Sequence, residues 1–185
     1  MHKNILILCL LILPTLFSFQ SAADDKLFRS KICDISFFSS TPVEDIDAVS
    51  KNAEGIINPK NNKLAFSVKI VTFEFKKKLM QEHFNENYLE SDKYPKATFI
   101  GEILEKVNLE ETGIYKVNVK GKLNMHGVEK ERTISGTLEN KNGELFLNAS
   151  FQVPLSDHKI KVPRLVIKNI AEVIDVKISG TFAQQ

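Results

Sequence analysis

Ile114-Tyr-Lys-Val-Asn-Val-Lys-Gly-Lys-Leu123, then Asn124-Met-His-Gly127 and a return from Val128, decides the fold. Tyr115, Val117, Val119, Gly121 and Leu123 alternate with Lys116, Asn118, Lys120 and Lys122. A period of two puts one set on each face of a strand, here one apolar face and one wet face. Met125-His126-Gly127 reads as a turn, where glycine takes backbone angles that other residues avoid. Residues 128–138 return antiparallel. Asn140-Lys-Asn-Gly143 makes the next turn, and Leu145, Leu147, Ala149 and Phe151 alternate again. Residues 173–182 supply a last strand.

The N-terminal half follows the same rule. In residues 28–38, Cys33, Ile35 and Phe37 share one face, and Ser39-Ser-Thr-Pro42 ends the strand. Pro42 with Glu44 and Asp45 suits one helical turn. Residues 49–57 read as a second strand. Asn58-Pro-Lys-Asn-Asn62 is a turn by composition. Leu64, Phe66, Val68 and Ile70 alternate in a third strand that continues toward Phe75. One helix is expected over 77–84, where Leu79, Met80, His83 and Phe84 fall on one face. A polar loop follows over 85–93. Tyr94-Pro95 then forces extended backbone into a strand over 97–104. Residues 154–168, with Pro163, are less regular and have room for one short helical turn. The total is about eight strands, a count that suits a barrel or sandwich.

Residues 1–23 read as a secretory leader: Lys3, an apolar run over 5–19, and small residues at Ser21-Ala22-Ala23. The run is about 15 residues, against about 20 for a membrane span. Cleavage after Ala23 leaves one domain over 24–185, secreted and, in a double-membrane bacterium, periplasmic. Cys9 leaves with the leader. Cys33 is then the only cysteine, which excludes an internal disulfide and asks for a conventional core.

The charge balance, 25 Lys+Arg against 23 Asp+Glu, speaks against a nucleic-acid partner. Lys76-Lys-Lys78 reads as a solvated strand end. His83, His126 and His158 have no metal-site spacing, so no metal or other cofactor is expected. His126 reads first as the residue that fixes its hairpin, and Cys33 as a small buried hydrophobe. The acidic cluster of Glu82, Glu86, Glu90 and Asp92 reads as a solvated face. No nucleophile elbow or phosphate-binding loop occurs, and no catalytic residue is assigned.

Leu79, Phe84, Tyr94-Pro95 and Phe99, followed by Gly121-Lys-Leu-Asn-Met-His-Gly-Val128, resemble the YceI-like family in its helix, Tyr-Pro strand and Gly-x-Leu-x-x-His-Gly-Val hairpin. The resemblance covers most of the chain after the leader and is strongest over 66–138. It departs near 27–38, where the opening strand is compressed, and around 159–170. It implies an all-β fold, an extended antiparallel lipocalin-like β-barrel with a short inserted helix. It further implies non-catalytic binding or transport of an amphiphilic lipid, a polyisoprenoid or other long-chain isoprenoid, and it is compatible with a homodimer. The candidate ligand contacts are the apolar-face residues Phe66, Val68, Ile70, Phe99, Tyr115, Val117, Val119, Leu123 and Phe151. Inward faces of a barrel meet either a ligand or each other. A filled barrel acting as a structural or partner-binding envelope protein is therefore the alternative.

Overall fold

The computed structural model describes residues 26–162 and 170–185. The expected leader over 1–23 and the stretch around Pro163 lie outside the described residues. The strands are β1 (Phe28–Ser40), β2 (Asp45–Ser50), β3 (Glu54–Asn58), β4 (Lys63–Lys69), β5 (Glu74–Phe75), β6 (Lys96–Ile103), β7 (Gly113–Met125), β8 (Val128–Lys141), β9 (Glu144–Pro154) and β10 (Val173–Gln184). They form one antiparallel sheet in the order β10-β9-β8-β7-β6-β4-β3-β1-β2-β5. Pairing of β10 with β1, from Phe28 opposite Gln184 to Phe38 opposite Asp175, closes an eight-stranded barrel. Closure pairs the long strands β1 and β10, whose free edges would otherwise invite pairing with other chains.

Turn chemistry sets the register. His126 and Gly127 both have positive φ, 52° and 69°, and join Met125 to Val128 as a two-residue hairpin turn. Asn142 and Gly143, at 55° and 84°, do the same between Lys141 and Glu144. Such turns match the strand twist, which is why His-Gly and Asn-Gly are informative in the sequence. Gly127 is also sterically required, because a Cβ there would stand 2.4 Å from Cε1 of Tyr94. Gly127→Ala is expected to cost about 1–3 kcal/mol, from the strained φ and the displaced ring. A chemical denaturation midpoint reads that loss.

Two expected strands are interrupted. The strand expected over 49–57 is two, β2 and β3, and the strand running toward Phe75 breaks at a 3₁₀ turn over Ile70–Thr72 before β5. Hydroxyls explain both breaks. Ser50 and Thr72 share a hydrogen bond of 2.7 Å, the Asn52 N–H donates to the Ser50 hydroxyl, and the Thr72 hydroxyl donates to the Lys69 carbonyl. Short polar side chains offer the backbone an alternative to the ladder. The helix α1 (Lys78–His83) agrees with expectation in place, but the start of the expected polar loop is a π-helical turn over Phe84–Tyr88. There the Leu89 N–H donates to the Phe84 carbonyl. The wider turn carries Leu89 into a buried position against Ile70, Leu155 and Ile160.

Candidate functional site

The barrel interior has a filled end and a hollow end. At the filled end Phe28, Ile57, Leu109, Leu138, Leu145 and Phe182 are fully buried. The buried Asn140 side chain donates to the Leu109 carbonyl at 2.7 Å and ties the loop before β7 across that end. The hollow end holds a cavity of about 250 Å³ whose walls are almost wholly apolar. That volume lies near the lower edge of the roughly 300–1,000 Å³ common for small-molecule sites, so it suits a slim ligand.

Strand alternation builds most of the walls. β1 contributes Ile35 and Phe37, β4 Phe66 and Val68, β6 Ala97 and Phe99, β7 Leu123 and Met125, β9 Phe151 and Val153, and β10 Ile174, Val176 and Ile178. Met80 and His83 of α1 and Phe84, Tyr88 and Leu89 of the following turn cover one side. Glu44, His83 and Tyr88 are the ionisable groups of the lining. Burial pushes the Tyr88 phenol upward, so it stays protonated and able to donate.

The cover is lightly held. No residue of α1 is buried, and Leu79 is 61% exposed. A cluster of phenylalanines anchors its end instead. Phe84 stacks on Phe37 with centroids 5.4 Å apart and meets Phe73 at 5.7 Å and Phe75 at 5.0 Å. Such ring pairs add about 0.5–1.5 kcal/mol each beyond area burial. At its start, Lys77 pairs with Glu44 at 2.6 Å, a surface contact of small value.

Two histidines tie the cover to the barrel. The His126 ring reaches the His158 carbonyl with Nδ1 at 3.0 Å and the Glu90 carboxylate with Nε2 at 2.7 Å. The hairpin, the loop after the π turn and the 155–158 turn thus meet on one ring, with Tyr94 edge-on to it at 4.6 Å. Arg132 adds a second tie, donating to the Gln152 carbonyl at 3.0 Å and pairing with Asp157 at 2.6 Å. It bridges a stretch in which the β8–β9 ladder, which runs from Gly136 opposite Ala149 to Lys141 opposite Glu144, does not continue.

His158 is fully buried. Its Nδ1 donates to the Val128 carbonyl at 3.0 Å, and its Nε2 meets no hydrogen-bond partner among the described residues. Burial lowers its pKa from the ordinary 6.5, so the folded protein holds it neutral. The unfolded chain then binds the extra proton more readily. The stability this contributes is present above the ordinary histidine value and is lost as pH falls below it. The denaturation midpoint is expected to drop as pH falls below about 6.5. A His158→Gln variant flattens that part of the profile.

Six of the residues expected to contact ligand come together in the cavity wall: Phe66, Val68, Ile70, Phe99, Leu123 and Phe151. Tyr115, Val117 and Val119 are not brought there. Tyr115 donates its hydroxyl to the Glu111 carbonyl at 2.9 Å, and Val117 and Val119 are buried in the core beyond the cavity. Phe37, Met80, Phe84 and Val176 are lining residues that the expectation left out. Their alternation in β1 and β10, and the apolar face of the helix, are the signals that point to them. Leu155 and Ile160 reach the wall only through the fold, and no local pattern marks them.

Cys33 is buried, and its thiol is pushed up to about 11 by burial and then by the charge of Asp34, so it stays protonated. Among the described residues no three His, Cys, Asp or Glu side chains converge on a metal-sized space.

The YceI-like domain model matches residues 34–182, spanning the barrel from β1 to β10. The chain belongs to the YceI-like family. Solved structures agree in fold. A polyisoprenoid-binding domain from Saccharophagus degradans, implicated in plant cell wall breakdown, matches with a TM-score of 0.75 at 11% identity, over 85% of this chain and 98% of that one. BcnA of Burkholderia cenocepacia matches at 0.68 and 16%, over 80% and 95%. The Campylobacter jejuni YceI protein matches at 0.58 and 18%, over 74% and 82%. At these identities the likeness is one of architecture, and it places this YceI-like chain among closed antiparallel barrels. No curated protein matches it in sequence.

Proposed function

We propose that this YceI-like protein binds an amphiphilic lipid, a polyisoprenoid in the first instance, with the tail inside the hollow end of the barrel. The observation that carries this reading is the apolar cavity of about 250 Å³. The polyisoprenoid-binding domain of Saccharophagus degradans, with the same architecture, supports the choice of ligand class. A prenyl chain has no hydrogen-bonding groups, so an apolar wall satisfies all of it. Each buried methylene equivalent returns roughly 0.8 kcal/mol, from which lost association entropy is subtracted. The head group rests near Glu44, His83 and Tyr88, the ionisable groups of the lining. Binding and release complete the mechanism, and no bond is made or broken.

Secretion to a periplasm through the 1–23 leader, and assembly as a homodimer, belong to the same proposal. Calorimetric titration of the protein with farnesol tests it. Saturable binding with a negative heat-capacity change is expected, the mark of apolar burial. No saturable heat at any temperature contradicts it.

A further inference from the structure

The cavity ends at a defined cross-strand row on each of two walls of the barrel. On β4, β6 and β7 the cross-strand row Phe66, Phe99 and Leu123 borders it, whereas the next inward row, Leu64, Gly101 and Gly121, does not. On the opposite wall Ile35 and Ile178 border it, and the next inward pair, Cys33 and Gly180, does not.

Glycines explain how the floor is kept low. A Cβ at Gly55, directly across from Phe66, would stand 2.6 Å from Cε1 of Phe66 and 2.8 Å from Cε1 of Phe182. The Phe66 ring therefore lies down over bare backbone, edge-on to Phe182 with centroids 6.0 Å apart. Phe99 lies similarly over Gly121, where a Cβ would stand 2.7 Å from its Cζ. Both rings fold toward the filled end instead of rising into the hollow one. They are the last side chains a tail would reach, and they rest on positions whose only spare room is the missing Cβ.

We propose that Phe66, laid over Gly55, is the stop that sets how long a prenyl chain the barrel admits. This rests on the prenyl-binding reading above and adds a length limit to it. Affinity then rises with chain length until the tail meets the Phe66 ring, and levels off beyond that point. A phenyl ring and an isoprene unit are similar in size, so removing the ring makes room for about one more unit. A methyl at Gly55 has the opposite effect. Its close contacts are ring atoms and not backbone, so it is relieved by lifting Phe66 into the cavity, which shortens the space.

The test is the affinity of geraniol, farnesol, geranylgeraniol and solanesol for the wild type and for Phe66→Ala, Phe66→Leu and Gly55→Ala, each first checked for a cooperative thermal transition. The wild type is expected to reach a plateau within the series. Phe66→Ala moves that plateau to a longer prenol and binds the first prenol beyond the wild-type limit about tenfold more tightly. Phe66→Leu moves it less, and Gly55→Ala moves it to a shorter prenol. If Phe66→Ala does not fold, the other two variants carry the test with their opposite signs. Folded variants that keep the wild-type plateau overturn the length stop while prenyl binding stands. A wild type that binds none of the four overturns both.

Discussion

Phe182→Ala lowers the free energy of unfolding by about 3–5 kcal/mol, the range for deleting a buried aromatic side chain. Phe182 is fully buried on β10, the strand that closes the barrel against β1, and it packs edge-on to Phe66. Its ring fills the space above Gly55, and neighbours with regular strand backbone cannot collapse into the void it leaves. Against a typical total stability of about 5–15 kcal/mol the loss is large. Urea denaturation followed by far-UV circular dichroism measures it as a shifted midpoint at unchanged slope. A shift below about 1 kcal/mol would mean that this end of the barrel is not the packed core described.

Ala97→Phe has the opposite profile, a large effect on binding and a small one on folding. Ala97 is half-buried on β6, lies opposite Val68, and faces the cavity. A phenylalanine there projects into empty space instead of into packed side chains, so the overpacking cost of about 1–3 kcal/mol usual in cores is largely avoided. It occupies volume that one or more isoprene units would fill. Prenol affinity is expected to fall about a hundredfold, after discounting lost burial for association costs. Titration with farnesol measures the affinity, and a thermal melt checks that the fold persists. Wild-type affinity in a folded Ala97→Phe protein would place the ligand outside this cavity. Taken together, the two variants separate the filled end, expected to govern stability, from the hollow end, to which the proposal assigns binding.

The barrel was readable because its information is local. Alternation in residues such as Tyr115 to Leu123 assigns faces, and His126-Gly127 and Asn142-Gly143 assign the turns between them. The division of the interior was not readable for the same reason. Val68 and Val117 have identical patterns, yet one borders the cavity and the other lies in the packed core. What separates them is their level along the barrel axis, set by strand register and by whether an aromatic ring lies on glycine below. Those are relations between strands distant in sequence, such as Phe66 with Phe182. The strand breaks are not legible locally because Ser50 and Thr72 act through a hydroxyl pair 22 residues apart. The π turn is not legible because its residues, Phe84 to Tyr88, read as the end of an amphipathic helix followed by polar loop. The histidine ties were hidden in the same way. His126 was legible as a turn residue, but its carboxylate partner Glu90 looked like one more solvated acid.

The most direct measurement is mass spectrometry of organic extracts from the protein purified without detergent from its native host. A prenyl lipid present in stoichiometric amount, and missing from Ala97→Phe prepared in parallel, is the predicted result. An extract empty of prenyl and acyl lipids, from protein whose fold is intact, would contradict the account and favour a barrel that works through its outer surface.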